Sequence, residues 1–204
     1  MENDSGLAPL DTPPGGRAII ARDSNMAWFQ KKSAATPTPD TFKPACAGVP
    51  HALKISTLLG EEAILFPPEG RDKAAVLEAL VSAVCRRANV FNAYSFLAKV
   101  LEREQGISTT LDTGLSLPHA RMDGIDGILA GMAVLKKPLP DSKQLDLSIR
   151  VIFLFFSPNR QDAFGLHLQI LRGVSSLFQP ALIDQHTAAS GPAAALELIK
   201  KLEA

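Results

Sequence analysis

No sign of charge prevails in this 204-residue chain: Lys plus Arg number 21 and Asp plus Glu number 21, for a formal net charge of zero. Without a basic surplus there is no electrostatic footprint for a phosphate backbone, which argues against nucleic acid as a partner. Long apolar runs are missing too. The most continuous one, Val151 to Phe156 extended back through Leu147, is interrupted by Arg150 and falls far short of the twenty or so residues that cross a bilayer. Direct membrane insertion is not expected. The opening residues MENDSGLAPLD carry acids and a proline where a secretory signal needs a basic cluster and an apolar run, so the expected compartment is the cytoplasm. Cysteine is scarce: Cys46 and Cys85 are far apart and form no C-x-x-C pair, which speaks against a disulfide framework and a thiolate metal site. Cys85 reads as a small core residue. No internal repeat is visible.

What the chain does have is a hydrophobic fraction of 46%, enough for one well-formed core at this length. Seven of the fifteen prolines fall in the first fifty residues, beside Gly15, Gly16 and the linker-like run SAATPTPD. Residues 1–48 are therefore expected to form an irregular or disordered extension, with residues 49–204 as the folded domain. Trp28-Phe29 beside Ile19-Ile20 leave open that part of the extension docks on a folded surface.

From about residue 52 the pattern is that of an α/β domain. Asp72 is a natural cap, and Val76, Leu77, Leu80, Val81 and Val84 recur at the spacing of a one-faced helix running to about Arg87. Asn92 caps a second helix with an apolar stripe of Phe96, Leu97, Val100 and Leu101, stopped by Gly106. Strands are predicted at 115–117, 128–135 and 147–156, the last nearly all apolar and so central in a sheet. A helix is predicted over 161–178, with Phe164, Leu168, Leu171, Val174 and Phe178 on one face. Pro192 begins the last helix, through Leu202. This order implies a mixed β-sheet flanked by α-helices.

Four histidines differ in setting. His119 follows Pro118 where the strand at 115–117 ends, flanked by the small Ala120 and the basic Arg121. An imidazole that titrates near pH ~6.5 offers a neutral, nucleophilic ring nitrogen at cellular pH. Taken alone, Pro-His equally describes a solvated surface histidine. His167 lies in FGLHLQIL at the edge of a helical apolar stripe, where a core histidine with a satisfied hydrogen bond is the plain alternative. Arg103 at a helix end is equally a partner for the helix dipole or one side of a surface ion pair. His51 and His186 lie in segments of turn or linker character and receive no role.

The combination is more specific than its parts. The stretch LEREQGISTTLDTGLSLPHARMDGIDG has an Arg-Glu near a helix end, a Ser-Thr pair, a Gly before a short apolar strand, then Pro-His and a small residue. About fifty residues later, HLQIL places a His-Leu on a helix. Together these resemble the signatures of enzyme IIA of the phosphoenolpyruvate-dependent sugar phosphotransferase system, of fructose, mannitol or nitrogen-regulatory type. The resemblance covers roughly residues 52–203 and implies that family's α/β fold and a phosphohistidine carrier.

It further implies that His119 accepts a phosphoryl group from the phosphohistidine of the carrier HPr or a paralogue, and that enzyme IIB or a regulatory target is the onward partner. His167 corresponds to the neighbouring histidine that hydrogen-bonds the phosphoryl oxygens, Arg103 to the nearby cation, and Ser108 and Thr109 to hydroxyl donors around the phosphate. Ala120 stands where some branches carry glycine, so the backbone's approach to the phosphate is tighter there. Phosphoryl transfer is catalysed mainly by positioning and charge stabilisation, which imidazoles, a guanidinium and hydroxyls supply with no cofactor or metal. Three uses remain open: sugar uptake with separate IIB and IIC chains, a regulatory module whose phosphorylation state gates docking, and an unphosphorylated scaffold with the N-terminal extension as its interaction element.

Overall fold

The computed structural model describes residues 53–204. The expectations for residues 1–48, including a docked Trp28-Phe29, lie outside the described residues, as do Cys46 and His51. Among the described residues five strands form one mixed sheet with five α-helices packed on it. The strands are β1 (Ile64–Leu65), β2 (Leu115–Ser116), β3 (His119–Met122), β4 (Leu129–Pro140) and β5 (Ser148–Pro158). The helices are α1 (Lys73–Arg87), α2 (Ala93–Gln105), α3 (Phe164–Leu177), α4 (Pro180–Ala188) and α5 (Pro192–Leu202).

β5 is the central strand, antiparallel to β4 on one side and parallel to β2 and then β3 on the other. Because successive side chains alternate across a strand, β5 supplies both faces of the core. Val151, Phe153 and Phe155 pack under α3, α4 and α5, while Ile152, Leu154 and Phe156 pack under α1 and α2. Each of those phenylalanines is fully buried, a burial worth roughly 2–3 kcal/mol per side chain. Helix α1 approaches β4 closely at Gly131, where a Cβ would lie 2.6 Å from a Val84 methyl. Gly114, at φ +91°, makes the left-handed turn into β2 that other residues rarely adopt. The two ends of the domain meet where the Glu203 carboxylate accepts from the backbone N–H of Ile55 at 2.5 Å and of Ser56 at 3.0 Å.

The predicted caps are in place. Asp72 accepts from the Ala75 N–H at 2.7 Å and Asn92 from the Ser95 N–H at 3.2 Å, each satisfying a first-turn donor that the helix leaves unpaired. Cys85 is a buried free thiol whose pKa burial pushes up. Three local expectations need correction. Strand pairing does not end with the strand predicted at 115–117 but resumes with β5 at His119, after Pro118 interrupts the line between β2 and β3. His186 is not in a linker: Pro180 starts the short helix α4, and His186 is fully buried on it against Phe178. The buried face of α3 is His167, Ile170, Val174 and Leu177, with Phe164 and Leu168 about half exposed. FGLHLQILRGV carries two overlapping apolar stripes one residue apart, and the sheet selects the one that includes the histidine.

A buried polar cluster pins the loop between α2 and β2. The Asp141 carboxylate accepts from the hydroxyls of Thr110 at 2.6 Å and Ser108 at 2.9 Å, and from the backbone N–H of Lys143 and Gln144, both at 2.9 Å. Burial by itself would raise its pKa, but these four donors hold it well below the usual carboxylate range. Its contribution is therefore complete above the ordinary carboxylate pKa and lost as the pH falls through the depressed one. Asp141→Ala strands four donors, at a cost of about 3 kcal/mol. Thermal melts should show a drop of about 10 °C for a domain of this size, and a drop under about 2 °C would mean that water replaces the carboxylate without loss.

Candidate functional site

β3 is an edge strand, and its position shapes the site. Its burial alternates, so His119 and Arg121 share the accessible face while Ala120 and Met122 turn into the core under α1 and α2. The Ala120 methyl thus belongs to the packed interior. The end of α2 brings up Arg103, and the start of α3 brings up His167. These residues line one cleft of about 530 Å³ together with Lys99 and Glu102. That volume exceeds what a phosphoryl group needs and leaves room for a side chain from a partner.

The His119 ring is held on two sides. It stacks on Phe155, with ring centroids 5.2 Å apart and planes 13° from parallel. Its Nδ1 lies 2.8 Å from the Leu117 carbonyl oxygen. A carbonyl can only accept, so in the neutral ring Nδ1 carries the proton and Nε2 carries the lone pair. Burial lowers the His119 pKa, the Leu117 hydrogen bond opposes that, Arg103 lowers it further and Glu104 raises it. The net direction is down. The neutral form, and with it a nucleophilic Nε2, is thereby favoured at neutral pH.

His167 sits edge-on to His119, with ring centroids 5.3 Å apart. It is 7% exposed, more buried than the edge of a stripe would be. Its Nδ1 lies 2.8 Å from the Ser157 hydroxyl, which is completely buried at the end of β5. If Ser157 donates, His167 Nε2 bears the proton and is a hydrogen-bond donor. Burial lowers the His167 pKa, followed by the charges of His119 and Arg121. Two imidazoles at this separation disfavour the state in which both are cations, and burial lowers the pKa of each.

Of the five residues singled out in the sequence, the structure brings three together: His119, His167 and Arg103. Arg103 is exposed, and its Nη1 donates to the Ile107 carbonyl at 3.1 Å, closing the end of α2 and leaving the rest of the guanidinium at the cleft. Ser108 and Thr109 are not with them. The Ser108 hydroxyl donates to Asp141, and Thr109 donates to Glu104 at 2.6 Å, a carboxylate already paired with Lys73 at 2.6 Å. A hydroxyl has one proton to donate, so both are committed to holding the loop, and neither lines the cleft. Ser157 and Arg121 are at the site without having been assigned a role. Arg121 had a signal in the sequence, its basic charge two residues after His119; Ser157 had only its polarity at the end of an apolar run.

Residues 57–202 match the family model described as "Phosphoenolpyruvate-dependent sugar phosphotransferase system, EIIA 2". A curated relative, the nitrogen regulatory protein of Pseudomonas aeruginosa, is 25% identical over 145 residues, spanning 71% of this chain and 92% of the relative. Among solved structures, nitrogen regulatory protein IIA-Ntr from Neisseria meningitidis superposes with a TM-score of 0.62 at 19% identity, over 71% of this chain and 98% of its own. The mannitol enzyme IIA of Escherichia coli, solved in complex with phosphorylated enzyme IIB, superposes with a TM-score of 0.59 at 16% identity, over 70% and 97%. At those identities the two structural likenesses are likenesses of fold.

Proposed function

This chain belongs to the EIIA 2 family of the phosphoenolpyruvate-dependent sugar phosphotransferase system, and on that premise we propose that it carries a phosphoryl group on Nε2 of His119. The observation that carries this reading is the Leu117 carbonyl on Nδ1, which leaves the Nε2 lone pair at the cleft. The donor is the phosphohistidine of HPr or a paralogue. As the P–N bond of the donor breaks, a P–Nε2 bond forms, and the donor imidazole leaves with the electron pair. The positive charge that develops on the His119 ring is shared with Nδ1–H, which already points at a carbonyl. Arg103 and an Nε2–H of His167 stabilise the charge on the phosphoryl oxygens. Onward transfer to enzyme IIB reverses the same steps, with the nucleophile supplied by IIB.

Regulatory use of the phosphohistidine is favoured by the curated relative being a nitrogen regulatory protein. In that reading the phosphorylated and free forms differ in the charge displayed at the cleft, and a target protein docks on one of them. Both uses place the protein in the cytoplasm with its carrier. The test is incubation with phosphoenolpyruvate, enzyme I and the phosphocarrier, which should give an acid-labile, base-stable phosphoprotein.

The domain boundary is proposed near residue 48, supported by the start of the family match at residue 57 and by the Glu203 tie to Ile55 and Ser56. A chain lacking residues 1–47 should unfold cooperatively and remain phosphorylatable. Loss of the cooperative transition would mean that Trp28 and Phe29 are part of the core.

A further inference from the structure

Arg121 carries the feature of the cleft that the mechanism above leaves unexplained. Its Nη2 donates to the Arg160 carbonyl at 2.6 Å, and its guanidinium carbon lies 5.7 Å from the centroid of the Phe164 ring. The side chain is thus anchored at one end and backed by an aromatic face. Yet its Nε is buried and, among the described residues, has no hydrogen-bond partner. A buried N–H of a charged group without an acceptor is unfavourable, and such groups in folded proteins are ordinarily paired. An acceptor that enters the cleft would pair it, since Arg121 lines that cleft.

The position supports this. Arg121 is two residues from His119 on the same face of β3 and lines the same cleft, while Arg103 enters from α2. Two guanidinium groups from different elements therefore line the cleft that holds His119. Resting on the reading of His119 as phosphoryl acceptor, we propose that Arg121 is a second phosphoryl-binding residue, whose unpartnered Nε–H takes an oxygen of the group carried on His119. Its anchors give it a role distinct from that of the more exposed Arg103. Held by the Arg160 carbonyl and Phe164, its guanidinium is kept at the cleft before transfer begins. Planarity and a permanent charge suit arginine to this contact.

Phosphoramidate tests the proposal without any partner protein. It forms the P–Nε2 bond as its own P–N bond breaks and releases ammonia, and ³¹P NMR follows the product. The full-length wild type, Arg121→Gln and Arg121→Lys are compared, with His119→Ala as the reference for the acceptor. Arg121→Gln should slow phosphorylation by about tenfold to a hundredfold and shift the ³¹P resonance of the phosphoprotein that does form. Arg121→Lys keeps a cation but loses the fork, and should recover part of the rate. A packing role alone would lower the melting temperature and leave the ³¹P resonance where it is. Wild-type rates with an unshifted resonance in Arg121→Gln would overturn the role of Arg121 and leave His119 as acceptor. Equal labelling of wild type and His119→Ala, or none of the wild type, would overturn both.

Discussion

Alanine at position 119 should abolish the acid-labile, base-stable phosphoryl label that wild type acquires from phosphoenolpyruvate, enzyme I and the phosphocarrier. No other ring nitrogen at the cleft is equally prepared. His119 has its tautomer set by the Leu117 carbonyl and its plane set by Phe155, whereas His167 is nearly buried and its Nδ1 is occupied by Ser157. The loss is of the nucleophile itself, so no residual rate is expected on the scale of the assay. The fold should persist, because a half-buried edge-strand histidine is a small packing element. Label in the alanine variant equal to wild type would move the acceptor elsewhere, with His167 next.

The same site makes a prediction in pH with a definite sign. The folded-state pKa of His119 is lowered, chiefly by burial, so at a given pH near the ordinary imidazole range more of the ring is neutral than in a free imidazole. Free imidazole near that pH is losing its lone pair to protonation. Relative to free imidazole under the same conditions, phosphorylation of His119 by phosphoramidate should therefore gain as the pH falls from 7.5 to 6. A parallel decline would mean an unperturbed, solvated ring.

The parts of the fold that were legible in the sequence are those decided locally. Asp72, Asn92 and Pro192 mark helix starts because capping and a fixed φ act over three or four residues. The apolar run ending at Phe156 announces a central strand because both its faces must be buried. What was not legible depends on partners far away in the chain. Ser108 and Thr109 look available to a phosphate until Asp141, some thirty residues on, and Glu104 take their protons. The rotation of α3 that buries His167 and exposes Leu168 is chosen by the sheet beneath it, since the helix sequence offers two stripes. The site follows the same division: His119, His167 and Arg103 stood out in the sequence, whereas the contacts that hold their rings and supply a second cation come from Leu117, Ser157 and Arg121.

His167 separates a functional histidine from a core histidine, and its burial changes how the test must be read. Truncation to alanine removes a 7%-exposed ring and strands the Ser157 hydroxyl, so a lower melting temperature is expected whichever role His167 has. The decisive quantity is the rate. If His167 Nε2–H donates to the phosphoryl oxygens, His167→Ala should slow onward transfer on the order of a hundredfold, the usual loss when one donor to developing charge is removed. His167→Gln keeps a side-chain amide donor and should leave His119 phosphorylatable, with a rate between those of wild type and alanine. Its amide can also meet Ser157, so its melting temperature should fall less. Transfer rates and thermal melts measured on the same preparations give the two answers separately. Equal rates in wild type and His167→Ala beside a lowered melting temperature would make His167 a packing residue, with the charge on the phosphoryl group met by the guanidinium groups alone.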